Sequence, residues 1–313
     1  MKQKLHTGHT AVLWKTIKKL NSYQIPIKSL KTKRYSLIQP LTLLDKQKII
    51  STLGKTSILL DSLEQVDSTN NFLKTVSHPN KLGICIAEMQ TKGKGRFYRP
   101  WYSPFGQNIY LSLRYSFNKD ISELAGLSLV CGLAVCRTIE TISHLSLPIF
   151  IKWPNDIICD NKKLAGILIE IQVETNRFCS VIIGIGLNVN MQNDANHKIN
   201  QNWTSLINLT KTYYDRNKLC TALINDLLHY IKTFEKQGLS FFQNPWQKKD
   251  YLFNKFLRLQ SSQKEFQGIG AGINEQGKLI LKLTDGFKKA FSSGNTTLIN
   301  IPPNDIQFFP RFI

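Results

Sequence analysis

Acidic side chains are scarce in this 313-residue chain, with 21 Asp and Glu against 41 Lys and Arg and a formal net charge of +20. That imbalance points to polyanionic or phosphate-bearing partners and leaves the fold open. No run approaches the roughly eighteen consecutive apolar residues of a membrane span; the longest, Leu124 to Val135, is broken by Gly126, Ser128 and Gly132. The basic N-terminus lacks an apolar h-region and a small-residue cleavage site, so no signal peptide is expected. The six cysteines (Cys85, Cys131, Cys136, Cys159, Cys179, Cys220) have no CxxC spacing and lie mostly in apolar runs. They read as reduced core thiols of a cytosolic protein, without a structural zinc site. Convincing internal repeats and low-complexity tracts are lacking too. With 42% apolar residues and ordinary Gly and Pro content, the chain can bury a sizeable core and spans two to three domains.

The positive charge is uneven. Residues 1 to 35 hold nine basic side chains (Lys2, Lys4, Lys15, Lys18, Lys19, Lys28, Lys31, Lys33, Arg34) and no acidic one. Leu13, Ile17 and Leu20 recur at helical spacing beside Trp14, with Lys15, Lys18 and Lys19 on the wetter side, which predicts a basic amphipathic helix. Two short extended pieces follow, joined through Thr32-Lys33-Arg34, a small basic hairpin. Helix plus hairpin is what a winged helix uses on DNA; composition alone fits a solvated basic surface as well.

Beyond Pro40, Leu41 to Leu53 reads as a helix. Strands are predicted over Ser57 to Leu60, Gly83 to Met89, Asn108 to Tyr115, Ile149 to Lys152, Lys163 to Val173 and Ser180 to Val189, and helices over Ser68 to Val76, Ile121 to Ser143 and Arg216 to Lys236. Strands neighbour one another as often as they alternate with helices, so an α/β (α+β) mixed sheet is expected rather than a doubly wound one. From Tyr251, short alternating strands punctuated by Gly268, Gly270, Gly272, Gly277 and Gly286 predict a small all-β barrel. The expected division is 1–40, 41–250 and 251–313.

Three clusters carry chemistry. Gly93-Lys94-Gly95-Arg96-Phe97-Tyr98-Arg99-Pro100-Trp101 alternates glycines with cations, so backbone N–H groups and positive heads can approach anionic oxygens. It is neither a Walker A loop nor GxGxxG, and alone it could be a surface turn. In Lys152-Trp153-Pro154-Asn155-Asp156 a tight turn presents Lys152 and Asp156 at a strand end. Lys163 then opens a strand whose Ala165-Gly166 pair lets a ligand lie against the backbone. In Asp67-Ser68-Thr69-Asn70 one side chain caps the next helix, and the surplus suits a neutral hydrogen-bonding ligand head.

At these places, and in order along nearly the whole chain, the sequence resembles biotin protein ligases. The likeness runs through Asp67 to Asn70, the Gln90 to Trp101 loop, Ser103-Pro104-Phe105-Gly106, Lys152 to Asp156, Lys163 to Glu170, Gly184 to Asn190 and the Gly-rich C-terminal part. The resemblance implies a class II synthetase-like catalytic domain, a C-terminal SH3-like β-barrel and a partial winged helix. It implies ATP-dependent activation of biotin to biotinyl-5′-AMP, with Mg²⁺, and transfer to a lysine of a biotin carboxyl carrier domain by a cytoplasmic homodimer. It places Ser68, Thr69, Asn70, Gln90, Lys94, Gly95, Arg96, Lys163 and Gly166 around biotin, and Arg99, Lys152, Asn155, Asn188 and Trp203 around the nucleotide. Lys163, Arg96 and Asp156 fall at catalytic positions, and no protein-held metal site is implied. The loop departs from the family's Gly-Arg-Gly-Arg-Arg-Gly-Arg pattern at Lys94, Phe97 and Tyr98; Lys lacks Arg's planar two-point contact. Only eight residues precede the N-terminal helix, so the first two helices of a winged helix are expected to be missing and sequence-specific operator binding is not expected. The alternatives are a bifunctional ligase and DNA-binding repressor of biotin synthesis, and a lipoate-type ligase of the same fold.

Overall fold

The computed structural model describes residues 7–25, 27–30, 34–54, 58–76, 82–175, 178–194, 198–261 and 263–299. Helix α1 (Thr7–Ser22) precedes strands β1 (Ile27–Leu30) and β2 (Arg34–Leu37), which pair antiparallel. Thr32 and Lys33 of the expected hairpin turn lie outside the described residues. Of the apolar positions on α1, Ile17 is buried, but Leu13 and Trp14 stay exposed. The helix is tethered near its end, where Tyr23 stacks on Phe105 at 4.1 Å between ring centroids and Lys19 and Tyr23 both bond Glu64.

The chain continues through α2 (Lys46–Leu53), β3 (Ile58–Leu63), α3 (Thr69–Thr75), β4 (Leu82–Ala87), β5 (Ile109–Phe117), α4 (Leu127–Ser143), β6 (Ile149–Lys152), β7 (Asp156–Cys159), β8 (Lys162–Thr175) and β9 (Phe178–Leu187). The α2 helix is set by local signals: Asp45 accepts from the Gln47 and Lys48 amides, and Gly54 ends it in the left-handed region. Seven strands form one mixed sheet in the order β3-β4-β5-β9-β8-β7-β6, with β3 parallel to β4 and the rest antiparallel. Strand β7, absent from the sequence-based assignment, is a four-residue piece closing the turn after Pro154. Ser57, the expected start of β3, lies outside the described residues.

Alternation in β9 decides which side of the sheet is which. Val181, Ile183, Ile185 and Leu187 enter the main core with α4 and with α6 (Arg216–Gln237), a helix that follows the short α5 (Leu206–Thr210). Ile182, Gly184 and Gly186 face the other way, toward α3 and the 93–101 loop. The stretch Ile121–Ser143 has the length and apolarity of a membrane span, but α4 within it is largely buried against the sheet and α6. All six cysteines are buried and unbridged.

After α7 (Gln243–Gln247), strands β10 (Phe256–Ser261), β11 (Lys264–Ile273), β12 (Leu279–Leu283), β13 (Lys288–Phe291) and β14 (Asn295–Leu298) form an antiparallel sheet. Its order is β13-β12-β11-β10-β14. This corrects the expected SH3-like barrel: among the described residues no ladder joins β13 to β14, so the sheet is open. A barrel requires its two edge strands to meet in register with consistent tilt and stagger. Here they are four residues each and lie on opposite edges, joined only through Ser292-Ser293-Gly294. Alternation and glycines dictate strands and turns; neither dictates closure.

Candidate active site

The cleft face of the central sheet is built in rows. Gly166 pairs with Gly186, and Leu168 with Gly184, which pairs on its other side with Ser112; Glu170 pairs with Ile182. A Cβ on Gly186 would run into the Trp101 indole and one on Gly184 into the Asn70 amide. The two glycines therefore let the loop and the start of α3 lie directly on the sheet.

At one end of this face hydroxyl and amide side chains predominate, backed by the ion pairs of Glu170 with Lys74 and Lys94. Ser68 begins α3 with extended backbone, yet its side chain makes no capping bond; Asp67 instead accepts from the Ser68 amide at 2.6 Å and from Asn71 Nδ2 at 2.9 Å. Thr69 donates its amide and hydroxyl to Gln90 Oε1 (2.9 and 3.1 Å), and Gln90 Nε2 donates to Ser103 Oγ at 3.1 Å. The Ser112 hydroxyl, fully buried, lies 2.7 Å from Thr69 Oγ1 and 2.5 Å from Asn70 Oδ1. The Thr69, Asn70, Gln90 and Ser112 side chains are each locked by a neighbour, so that set is preorganised.

The other end is cationic. Lys163 Nζ sits 2.8 Å from Asp156 and 5.3 Å from the centre of the Trp101 ring. Burial pulls the Arg96 guanidinium and the Lys152 ammonium below their ordinary pKa values, and Asp156 opposes both shifts. Asn155 is held to Ile167 in both directions, through its amide side chain at 2.7 Å and its carbonyl at 3.0 Å. The segment carrying Trp203 runs beside Lys163: the Lys163 amide donates to Asn202 and its carbonyl accepts from Thr204. Asn188 Nδ2 donates to the Thr204 carbonyl at 3.0 Å.

These ends share a cleft of about 380 Å³, lined by Ser68, Thr69, Asn70, Gln90, Lys94, Gly95, Arg96, Arg99, Lys152, Asn155, Asp156, Lys163 and Gly166. Asn188 and Trp203 line an adjoining cavity of about 310 Å³, whose wall of Arg99, Trp101 and Lys163 is common to both. The tertiary structure thus gathers every site residue expected from the sequence into two connected spaces. Four contributors were not singled out. Trp101 ended a noted motif, and Ser112 and Glu170 are polar residues within apolar strands, a signal that could have found them. Thr296 reaches the cleft from the C-terminal sheet, with its hydroxyl buried and unpartnered among the described residues; nothing local in the sequence marks it.

A mixed sheet that carries a hydrogen-bonding pocket, a glycine-and-cation loop and a lysine beside a second cavity can hold a ligand that is neutral at one end and anionic at the other. Residues 62–188 match the Biotin/lipoate A/B protein ligase family. The chain is 35% identical to the bifunctional ligase/repressor BirA of Escherichia coli, over 92% of this chain and 88% of that one. It is 30% identical to the biotin--[acetyl-CoA-carboxylase] ligase of Mycobacterium tuberculosis, over 71% and 82%. The biotin protein ligase of Aquifex aeolicus, solved with biotin and ATP, superposes with a TM-score of 0.65 at 28% identity, covering 77% of this chain and 99% of that one. The chain belongs to the biotin protein ligase family, and its activity is the ATP-dependent, AMP-forming ligation of biotin to a protein lysine.

Proposed function

We propose that the hydroxyl-and-amide end of the cleft holds the biotin ureido ring and the cationic end holds its carboxylate against the nucleotide α-phosphate. The observation that carries this is the order of groups along one cleft: Ser68, Thr69, Asn70 and Gln90, then Arg96, Lys152 and Lys163, then the cavity with Asn188 and Trp203. Biotin is neutral at its ring and anionic at its tail, and ATP is anionic where the two meet. In the first step a carboxylate oxygen attacks the α-phosphorus and pyrophosphate leaves. In the second, the amine of a carrier-domain lysine attacks the carbonyl carbon and AMP leaves with the bridging oxygen. Lys163 neutralises charge developing at phosphorus, while Asp156 holds it in place; positioning and electrostatics supply the acceleration. Arg96 and its loop shield the anhydride from water. Mg²⁺ carried by the nucleotide phosphates would neutralise part of their charge, and Asp156, the one carboxylate among the described cleft-lining residues, would be the group to hold it.

This chemistry belongs to residues 41–250, with Gln260 and Gly294 to Thr297 of the C-terminal sheet completing the cleft lining. Homodimer formation and cytoplasmic residence are proposed on the family relationship alone. Incubation with biotin, MgATP and a carrier domain, read by mass spectrometry, is expected to give one biotinyl amide on the carrier; lipoylation without biotinylation would overturn the assignment.

A second role is favoured by the relatives, which include chains named bifunctional ligase/repressor whose match covers 92% of this chain. The helix and hairpin at its N-terminus, with their lysines, support contact with DNA by residues 1–40. Gel-shift titration against salt and against scrambled sequence tests it: a sequence preference that survives salt carries the repressor role, and none removes it.

A further inference from the structure

Glu170 lies in the middle of β8 on the same sheet face as the cleft-lining Gly166 and Leu168, one row beyond Leu168 and Gly184. Its two carboxylate oxygens serve three donors. Oε2 accepts from Asn70 Nδ2 at 2.8 Å, while Oε1 accepts from Lys74 at 2.7 Å and from Lys94 at 3.2 Å. Lys94 also donates to Asn71 Oδ1 at 3.0 Å. One side chain thus joins the strand, α3 and the glycine-and-cation loop.

We propose that Glu170 is a positioning residue for the biotin end of the cleft, orienting the Asn70 amide and latching the loop through Lys94. The proposal rests on the biotin ligase reading of that cleft.

The orientation follows from donor and acceptor chemistry. An ionised carboxylate only accepts, so it demands the NH₂ side of Asn70 and turns Oδ1 toward the Ser112 hydroxyl. Gly184 beneath leaves the amide flush with the sheet. Burial pushes the Glu170 carboxyl up, yet bonds from Lys74, Asn70 and Lys94 together hold it below the ordinary carboxylate value, which keeps it an acceptor.

The latch follows from the loop's own ladder. The Gly95 amide donates to the Arg99 carbonyl and the Trp101 amide to the Gly93 carbonyl, both at 2.8 Å, so residues 93–101 close into a hairpin. Holding Lys94 on one arm therefore holds Arg96 and Arg99 with it. A lysine suits a carboxylate shared among three donors, because its compact head needs no planar two-point partner. That gives Lys94 a role that the departure from arginine left open.

The test compares full-length wild type, Glu170→Gln, Lys94→Ala and the double variant, each checked for a cooperative thermal melt. Biotin affinity is measured by calorimetry, and escape of biotinyl-adenylate formed in place by chasing with unlabelled biotin. Gln can present either a donor or an acceptor to Asn70. Glu170→Gln is therefore expected to weaken biotin about tenfold and to speed adenylate escape by about the same factor. Lys94→Ala should speed escape and weaken biotin less than Glu170→Gln does, and the double variant should release adenylate no faster than Glu170→Gln alone. Unchanged escape in Lys94→Ala, unchanged biotin affinity in Glu170→Gln, or additive effects in the double variant would each overturn the proposal. If Glu170→Gln does not fold, escape from Lys94→Ala decides. A wild-type chain that makes no biotinyl-adenylate would fail the ligase reading itself and the proposal with it.

Discussion

Lys163 lies 2.8 Å from Asp156 with its side chain 16% exposed, and Arg216, fully buried, lies 2.7 Å from Glu88. Lys15 and Lys18 carry the same formal charge on exposed positions of α1, and no ion pair is seen for either among the described residues. Inside the central domain a cation is expensive to desolvate, and Lys163 and Arg216 each stand beside a carboxylate. On α1 the cations keep their water and act only through a field that salt screens. The comparison separates a net charge into two kinds: positioned charges that can take part in chemistry, and a diffuse charge that can draw a polyanion without orienting it.

The largest effect is expected where burial is deepest. Arg216 donates to Glu88 and to the Asn108 and Thr42 carbonyls. Arg216→Met leaves the buried Glu88 carboxylate without its cation, although the Leu44 amide still bonds it, and should cost about 3–5 kcal/mol in urea denaturation, with less lost in Arg216→Met/Glu88→Leu. A loss as small as that of a surface lysine would break the distinction. Next, Lys163→Ala should slow biotinyl-adenylate formation about 10²- to 10³-fold in single-turnover assays, with an unchanged denaturation midpoint. Arg96→Gly should speed adenylate release about 10- to 100-fold and biotinylate bystander lysines; strict carrier specificity in that variant would count against its shielding role.

Asp250 sharpens the contrast from the opposite sign. It is buried, one of its oxygens lacks a hydrogen-bond partner among the described residues, and burial pushes its carboxyl up to about 6 from 3.8. The folded state therefore holds this proton more tightly than the unfolded chain. The stability it contributes is complete below the unfolded value and is lost as pH rises toward and through about 6. Asp250→Asn should be more stable than wild type by about 3 kcal/mol at pH 8 and show little gain at pH 4, measured by denaturation at both. Smallest of all, Lys15→Ala/Lys18→Ala should leave carrier biotinylation unchanged. It should lower nonspecific DNA affinity a few-fold and reduce the salt slope by about 2.

Particular residues show how far each level of description reaches. Val181, Ile183, Ile185 and Leu187 alternate with Gly184 and Gly186, so the two faces of β9 are legible from period alone. The turn through Pro154 and Asn155 is local too, but the expected side-chain cap of α3 is not made: Ser68 takes no helix amide, and Asp67 takes the amide of Ser68 itself. Strand β7 was missed because four residues after a turn carry too little pattern. The open C-terminal sheet was misjudged because strand count and spacing do not specify whether two edges meet.

From the sequence alone come the ordered motifs, the faces of the strands, the reduced cysteines and the division of charge between the N-terminus and the rest. All follow from local propensity, periodicity and chemistry within a few residues. Tertiary structure alone decided that Glu170 meets Lys94 across 76 positions, that Trp101 walls both cavities and that Thr296 reaches the cleft from another sheet. Such meetings depend on how sheets stack and where a chain returns, and the side chains that meet leave no mark on their own neighbours in sequence.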